Sequence, residues 1–292
     1  MITAGTYFRE RFGHKMYKAS ISLDVTCPNR DGSKGTGGCT FCSAGGSGEF
    51  SEAPGDVTSQ IDKAIERVKS KAGENAGYIA YFQSFTNTYC EAAYLEEALA
   101  QAVSHPKVEA LSIATRPDCL EDSMVEYLAE LSDIKPVWVE LGLQTSNSAT
   151  ARAMNRCYEL DVFDDAYHRL KRAGIEVIVH IILGLPGEDE SDMMETARYI
   201  AQLQPAIDGI KIHMLQILKG TALEKQYRER PFHVLTMEEY TDIVIKILRM
   251  LPAGTVIHRF TGDGPKKILI EPQWCWEKKK VLNYMNRQIA KA

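Results

Sequence analysis

Short segments rich in β-branched residues alternate with amphipathic segments along this chain, and this alternation most limits how it can fold. Val57, Ile61 and Ile65 recur at helical spacing, whereas residues 175–183 form a nearly continuous apolar run typical of a buried strand. Six such alternations indicate parallel strands joined by crossover helices, closed or partly closed as a barrel. We therefore predict the α/β class, as a partial (β/α)6 TIM-like barrel with a C-terminal helix/strand extension.

The predicted elements divide the chain into three segments. Predicted strands cover residues 20–26, 78–83, 110–115, 137–143, 175–183 and 209–217, with one more at 255–260. Predicted helices cover residues 57–71, 94–103, 123–131, 148–155, 163–173, 193–203 and 237–251. The segments are an N-terminal arm at 1–19, a barrel at 20–222 with a loop at 27–48, and an extension at 223–292 that closes the barrel.

Charge gives no sign of a broad polyanion-binding surface. The 292 residues include 34 Lys and Arg against 39 Asp and Glu, a net charge of −5, whereas non-specific nucleic-acid binders are usually basic. Two local basic patches remain, and each is either a solvated helix face or a contact for phosphates. They comprise Arg9, Arg11, Lys15 and Lys18 in the arm, and Lys278, Lys279, Lys280, Arg287 and Lys291 in the tail.

Hydropathy predicts a cytoplasmic protein with no membrane partner. No apolar run approaches the roughly 18–20 residues of a membrane span, and residues 1–18 lack the apolar core of a signal peptide. Hydrophobic residues at 45% and charged residues at 25% are ordinary for a globular chain.

Three cysteines follow the first predicted strand with the spacing C-x11-C-x2-C. In a parallel barrel, this end of the strands is where sites are built. Thiolates select zinc, Cu(I) or iron–sulfur clusters, and a structural zinc needs a fourth ligand, for which His14 and Cys90 are the nearest candidates. A cubane cluster held by Cys27, Cys39 and Cys42 would instead leave one iron open to a substrate or cofactor.

This loop resembles that of the radical S-adenosylmethionine (radical SAM) superfamily, where three cysteines ligate a 4Fe–4S cluster whose open iron binds S-adenosylmethionine. Phe41 matches the aromatic position before the third cysteine, although the first gap is eight residues longer than the usual C-x3-C. Wider stretches resemble a bacterial branch close to the radical domain of the Elongator catalytic subunit. They include residues 81–88, 115–118, 140–145, 155–156, 180–187, 209–213 and 274–275.

The resemblance implies cofactor contacts at the strand ends, each with a structural alternative. Gln83, Ser84 and Thr86 replace a usual acidic turn and could accept from the methionine amino group, or simply cap the next helix. Arg116 could bind a carboxylate or phosphate, or pair with a nearby acid such as Asp118.

Two further pairs carry cofactor predictions. Glu140 and Gln144 share a strand face and either contact the cofactor or form a structural network inside the barrel. Arg152 and Arg156 have i, i+4 spacing on one predicted helix and either hold a carboxylate or phosphate or face solvent.

The fifth and sixth strands add His180 and His213, each a site residue or a satisfied core histidine. Ile182 and Gly184 match the superfamily's adenine-packing strand. The turn that begins at Gly184 lacks the Lys and Ser/Thr of a P-loop. Substrate contacts are predicted at His213 and, around the last strand, at His258, Arg259 and Asp263.

The leading functional hypothesis is a radical enzyme with a 4Fe–4S cluster and S-adenosylmethionine, supplied with electrons by a donor such as flavodoxin or ferredoxin. The Elongator resemblance implies tRNA as partner and the C5 side chain of a wobble uridine as target, converted from carboxymethylaminomethyl to aminomethyl. The alternatives are radical chemistry on a small molecule or protein, and a non-catalytic zinc-binding adaptor. The remaining thiols show no cluster spacing and are predicted to be mostly buried and inert: Cys90, Cys119, Cys157 and Cys275.

Overall fold

An eight-stranded, entirely parallel sheet forms the centre of the molecule in the computed structural model, which describes residues 1–46, 48, 51–73, 75–262, 264 and 266–292. The strand order is β1-β9-β7-β6-β5-β4-β3-β2, with β1 and β2 at the two edges. The sheet curls into an open, partial barrel, and the predicted fold class is confirmed. The large strands are β2 (Met16–Ile21), β3 (Gly77–Phe82), β4 (Val108–Thr115), β5 (Val137–Gln144), β6 (Glu176–Leu183) and β7 (Gly209–Met214).

Two short strands extend the sheet beyond β7. They are β1 (Ile2–Thr3) and β9 (Val256–Arg259), and β9 pairs with both β1 and β7. A separate antiparallel pair joins β8 (Ile217–Leu218) to β10 (Leu269–Glu271). The first and last segments of the chain therefore contribute strands to the same sheet as the barrel segment.

Helices connect the strands and cover the outside of the sheet. Their apolar faces, such as Leu95, Leu99 and Ala102 of α3, pack into one large core. They are α1 (Ala4–Phe12), α2 (Val57–Ala72), α3 (Ala92–Ser104), α4 (Asp122–Ser132), α5 (Ser148–Ala153), α6 (Leu160–Arg172), α7 (Glu190–Gln202), α8 (Ala222–Glu229), α9 (Met237–Met250) and α10 (Lys278–Lys291). The predicted start of α9 is confirmed, since Thr236 and Glu239 form a reciprocal capping box.

The N-terminal segment does not form a separate arm. Helix α1 contacts β1, β2 and β9 and places Phe8 against Trp138, with ring centroids 5.7 Å apart and nearly parallel planes. Ile79, Ala110 and Ile178 complete this apolar layer at the N-terminal end of the strands. Phe8 is buried in this layer, and its burial holds the basic helix α1 against the barrel, whereas an arm was predicted here.

Among the described residues, no helix combines the length and apolar character needed to cross a bilayer.

Candidate active site

A cavity of about 630 Å³ occupies the barrel interior. Side chains alternate along each strand, so residues of one parity face inward and meet across the barrel. Along β7, for example, Lys211 and His213 line the cavity while Ile210 and Ile212 are buried in the surrounding core. The apolar layer around Trp138 lies below the cavity, and the cysteine loop lies at its other end, after β2.

The cysteine loop is held in place by the segment between α5 and α6. Asn155 Nδ2 donates to the carbonyls of Gly38 at 2.9 Å and Thr36 at 3.3 Å. Asn29 in turn donates to the Asn155 carbonyl and lies 3.6 Å from Cys39 Sγ. Asn155 adopts a φ of +58°, a left-handed conformation that asparagine tolerates better than most residues. The loop is therefore fixed by side chains distant in sequence.

All three thiols of the loop, Cys27, Cys39 and Cys42, open onto the cavity. Burial, together with the neighbouring thiols of Cys42 and Cys27, raises the pKa of Cys39 to about 12. Arg30 donates to Cys42 Sγ at 3.1 Å, a contact that favours the thiolate. Three soft donors on one cavity wall fit a thiolate-bound cluster.

A single zinc ion fits these residues less well. Within the described ranges, no three Cys, His, Asp or Glu side chains converge closely enough to hold one metal ion. Thiolates that bind different irons of one cluster stand further apart than ligands of a single ion. The predicted fourth ligands are engaged elsewhere, since His14 pairs with Glu109 at 2.8 Å and Cys90 contacts the Asn87 carbonyl.

Arg116 lies beside this loop at the end of β4. Its guanidinium forms a bidentate salt bridge with Asp118, with both N–O distances at 2.9 Å. The ion pair that was predicted as the alternative to a cofactor contact is therefore present. Its guanidinium also lines the cavity and lies 5.0 Å from the centre of the Tyr158 ring. Burial disfavours this cation, but Asp118 outweighs burial and raises the pKa of Arg116 above its usual value. Arg116 is thus a fixed cation at the cavity wall.

The structure separates the predicted pair Arg152 and Arg156. Helix α5 ends at Ala153, so the two residues do not share a helix face as predicted. Arg152 is exposed and reaches Glu159, outside the cavity. Arg156 is 1% exposed and donates to the carbonyls of Leu143 at 2.8 Å and Thr145 at 2.7 Å, among others. The positive φ at Asn155 turns the chain inward and causes the difference.

The floor layer of the cavity is a ring of polar side chains around one carboxylate. Glu140 on β5 is fully buried and accepts hydrogen bonds from a residue on each of five other strands. At Oε1 the donors are Lys18 Nζ, at 2.6 Å, and Ser112 Oγ, at 2.8 Å. At Oε2 the donors are Tyr81 OH at 2.8 Å, His180 Nε2 at 3.0 Å and Lys211 Nζ.

Charge in the floor layer shifts the pKa values of its members. Burial would raise the pKa of Glu140, but Lys18 and Lys211 outweigh burial and hold it well below its usual range. Burial lowers the pKa of Lys211 well below its usual value, and Lys18 adds to that effect. Burial and then Lys211 lower the pKa of His180 to about 4, so its imidazole is neutral near pH 7.

The predicted substrate residues lie at different depths in the cavity. His213 lies beside His180 with ring centroids 5.3 Å apart and ring planes tilted by 47°, and its Nε2 has no hydrogen-bond partner among the described residues. His258 lines the cavity but packs against Phe8, at 5.8 Å between ring centroids. Arg259 also lines the cavity, and Asp263 lies outside the described residues.

The predicted cofactor residues divide into those that reach the cavity and those that do not. Ser84 is buried and bonds Ser22 at 2.6 Å, and Gly184 turns with a φ of +82° beside Leu235, so neither lines the cavity. Gln144 reaches it through a register shift in β5, with a φ of +69°. Besides Arg116, Glu140, Arg156 and His180, the predicted cofactor residues that line the cavity are Phe41, Gln83, Thr86, Gln144 and Ile182.

Sequence reasoning missed several cavity residues. Lys18 was assigned to the N-terminal arm, because β2 begins at Met16 rather than at the predicted position 20. The alternation of side chains along a strand could have shown this, because Lys18 and Ser20 are two positions apart and so face the same side, the barrel interior. Other cavity residues to which no role was assigned include Lys211, Tyr81, Tyr158 and Arg30. Ser112, which is buried and donates to Glu140, was missed as well.

The four remaining cysteines do not line the cavity. Cys275 is buried, whereas Cys90, Cys119 and Cys157 are partly buried. Burial raises the pKa of Cys119 to about 12 and also raises that of Cys90.

Family comparison identifies the chain. Residues 29–200 match the family model described as Radical SAM superfamily, and residues 207–291 match the one described as Radical_SAM C-terminal domain. The chain belongs to the radical SAM superfamily. YtqA of Bacillus subtilis (strain 168) is 42% identical over 98% of this chain and 88% of its own length. Superfamily membership indicates an enzyme that uses a 4Fe–4S cluster and S-adenosylmethionine, in agreement with the cysteine loop.

More distantly similar proteins include Elongator proteins. Elongator complex protein 3 of Schizosaccharomyces pombe is 26% identical over 57% of this radical SAM chain and 30% of its own length. The structure of the archaeal Methanocaldococcus infernus Elp3 with an N-terminus deletion superposes with a TM-score of 0.70 at 18% identity, over 94% of this chain and 63% of that one. At this identity the superposition shows a shared fold. The chain therefore corresponds to only part of each Elongator protein.

Proposed function

We propose that this radical SAM enzyme modifies the C5 side chain of tRNA wobble uridine, converting a carboxymethylaminomethyl group to an aminomethyl group. The observation that carries the proposal is the composition of the cavity wall. Three thiols and six cationic residues open onto the same space, against one carboxylate, Glu140, among the described lining residues. Such a wall suits an anionic substrate, although the whole chain has a net charge of −5.

Each part of the cavity has a role in the proposed reaction. Cys27, Cys39 and Cys42 would hold the cluster. When bound, the cluster and S-adenosylmethionine supply an electron and a 5′-deoxyadenosyl radical that takes a hydrogen atom from substrate. Arg116 would hold the methionyl carboxylate. Phe41, Gln83, Thr86, Gln144 and Ile182 would orient the rest of that molecule. A flavodoxin or ferredoxin would donate the electron.

Similarity to Elongator complex protein 3 supports tRNA as the substrate class. It covers 57% of this chain, and the Elongator branch is the one that implies wobble uridine modification. The position of the cavity inside the barrel also supports tRNA. A base that reacts there must leave its stack, and the bases of a single-stranded anticodon loop can do so.

Exposed basic residues of the C-terminal patch would contact the phosphates of such a tRNA. Lys278, Lys279 and Lys280 are exposed at the start of α10. The N-terminal patch contributes less than its sequence suggests, because Arg11 pairs with Glu176 and Lys18 lies inside the barrel. Phosphate contacts should make binding weaken steeply with salt.

The test is anaerobic reconstitution followed by incubation with S-adenosylmethionine and a reductant. 5′-Deoxyadenosine is quantified with and without tRNA that carries the carboxymethylaminomethyl group, and the tRNA nucleosides are analysed by mass spectrometry. Cys39→Ala is expected to abolish product, and Cys90→Ala is the matched control, since its thiol lies outside the cavity.

The outcomes separate the alternatives. Product that rises with this tRNA, together with appearance of the aminomethyl nucleoside, supports the proposal. Product that ignores tRNA would favour a small molecule or a protein as substrate. A protein that carries its cluster and yields no product would contradict the radical reaction and direct attention to a binding role.

A further inference from the structure

The floor layer holds more hydrogen-bond donors than its carboxylate can accept. Glu140 offers about four lone-pair sites on its two oxygens. Five groups donate to it, and Lys18 and Lys211 each carry further N–H groups when protonated. The surplus donors belong to a layer that faces the cavity.

Charge in the layer is also out of balance. Two amines share one carboxylate, and the neighbouring His180 and His213 are neutral near pH 7 because burial lowers the pKa of each. A second ammonium beside one carboxylate is costly in this low-dielectric layer unless a ligand compensates its charge, and this cost agrees with the lowered pKa of Lys211. An anion is the ligand that supplies both the missing charge and the missing acceptors.

Lys18 is the member of the layer most open to the cavity. Its side chain is 27% exposed, compared with 6% for Lys211 and 0% for Glu140. Lys18 Nζ also lies 3.8 Å from the centre of the Tyr81 ring, so the ammonium is held between an aromatic face and the carboxylate. A group that descends from the mouth of the cavity would meet Lys18 first.

We propose that the floor layer is a subsite for a carboxylate carried by the substrate, with Lys18 and Lys211 as its ligands. A terminal carboxylate fits this position, whereas a phosphodiester continues on both sides and does not fit a closed floor. This inference rests on the proposed function for the identity of that group, which would be the carboxylate of the carboxymethylaminomethyl side chain.

The experiment compares two nucleosides on the reconstituted protein by isothermal titration calorimetry. 5-Carboxymethylaminomethyluridine carries the carboxylate and 5-aminomethyluridine lacks it. We expect the first to bind about tenfold more tightly, a difference of about 1.4 kcal/mol, because hydrogen bonds between charged groups are stronger than those between neutral groups. Lys18→Met should remove the difference and Lys18→Arg should restore part of it.

The control variant is Lys15→Met, which removes an exposed lysine three positions earlier. Equal affinities of the unmodified protein for the two nucleosides would overturn the proposal without any variant. A difference that survives in Lys18→Met would overturn it as well. S-Adenosylmethionine affinity is measured alongside, and a comparable loss there in Lys18→Met would assign the floor to the cofactor instead.

Failure of this subsite is distinguishable from failure of the tRNA reaction. Binding that depends on the carboxylate and on Lys18, without turnover of tRNA, would keep the subsite and reject the proposed function. Conversion of tRNA by a Lys18→Met protein at unchanged KM would keep the function and reject the subsite.

Discussion

Lys18 Nζ lies 2.6 Å from Glu140 Oε1, although the two residues are 122 positions apart in the chain. Neither strand alone gives a reason for a charged residue in its middle. The contact exists because β2 and β5 point these side chains into the same barrel interior, where each charge lowers the cost of burying the other. The pair thus connects the stability of the barrel with the chemistry of its cavity.

Glu140→Gln should destabilise the protein by about 3–5 kcal/mol, because it leaves the buried amine of Lys211 and the partly buried amine of Lys18 without a carboxylate. Adding Lys211→Met should recover part of this loss, since it removes one of the uncompensated amines. Urea unfolding measures both changes. Glu176→Gln, which removes a partly exposed partner of Arg11, should cost less than about 1 kcal/mol. Equal losses in the two glutamine variants would contradict the role given to burial.

Arg156 and Arg152 offer a matched pair of arginine substitutions. Arg156→Met should cost about 3 kcal/mol or more in the free energy of unfolding, because it leaves the carbonyls of Leu143 and Thr145 without donors in a buried site. Arg152→Met should change stability by less than about 0.5 kcal/mol, since Arg152 is exposed. Thermal and urea unfolding would show the contrast, and similar values for both would refute it.

Asn155→Gly tests whether one side chain holds the cysteine loop. Glycine accepts the φ of +58°, so the substitution removes the hydrogen bonds to Gly38 and Thr36 without backbone strain. We expect a loss of about 1–2 kcal/mol in stability and faster loss of iron to a chelator. Asn147→Ala, which removes the cap of α5 at a cost of about 1 kcal/mol, controls for a general loss of stability and should leave the rate of iron loss unchanged.

His180→Gln should make the fold less sensitive to acid. Burial and Lys211 lower the pKa of His180 to about 4. Between about pH 6.5 and pH 4, His180 is therefore protonated in the unfolded chain but neutral in the folded chain. Stability is therefore lost as the pH falls from about 7 towards 4. Glutamine retains a donor near the position of Nε2 and does not titrate. Between pH 8 and pH 5 the variant should lose about 2 kcal/mol less than the unmodified protein, as measured by urea unfolding at each pH. Parallel losses would contradict this assignment.

Periodicity was sufficient to predict the sheet, but not its edges. The strands predicted at 78–83 and 137–143 match β3 and β5 within one residue at each end, because buried parallel strands leave a continuous apolar run. Strand β2 was predicted to begin at position 20, since Lys18 interrupts the apolar pattern there. Propensity alone cannot show that a lysine in a strand is paired with a carboxylate on another strand.

The candidate site was predictable where spacing carries the chemistry. Cys27, Cys39 and Cys42 are close in sequence, so their convergence follows from one loop. The helix face predicted to be shared by Arg152 and Arg156 was wrong, because the prediction assumed that the helix continues, whereas the backbone turns at Asn155 into a left-handed conformation. Contacts such as Lys211 with Glu140 join strands far apart in the chain, and such pairings depend on the complete fold rather than on local pattern.

Helix α1 and the apolar layer of Phe8 and Trp138 seal the lower end of the barrel, and this has a kinetic consequence. Because this end of the cavity is closed, a group that reaches the floor layer leaves by the route along which it entered. Whatever binds nearer the mouth afterwards retains the molecule beneath it. Turnover is then expected to follow a compulsory sequence in which the last molecule to enter is the first to depart.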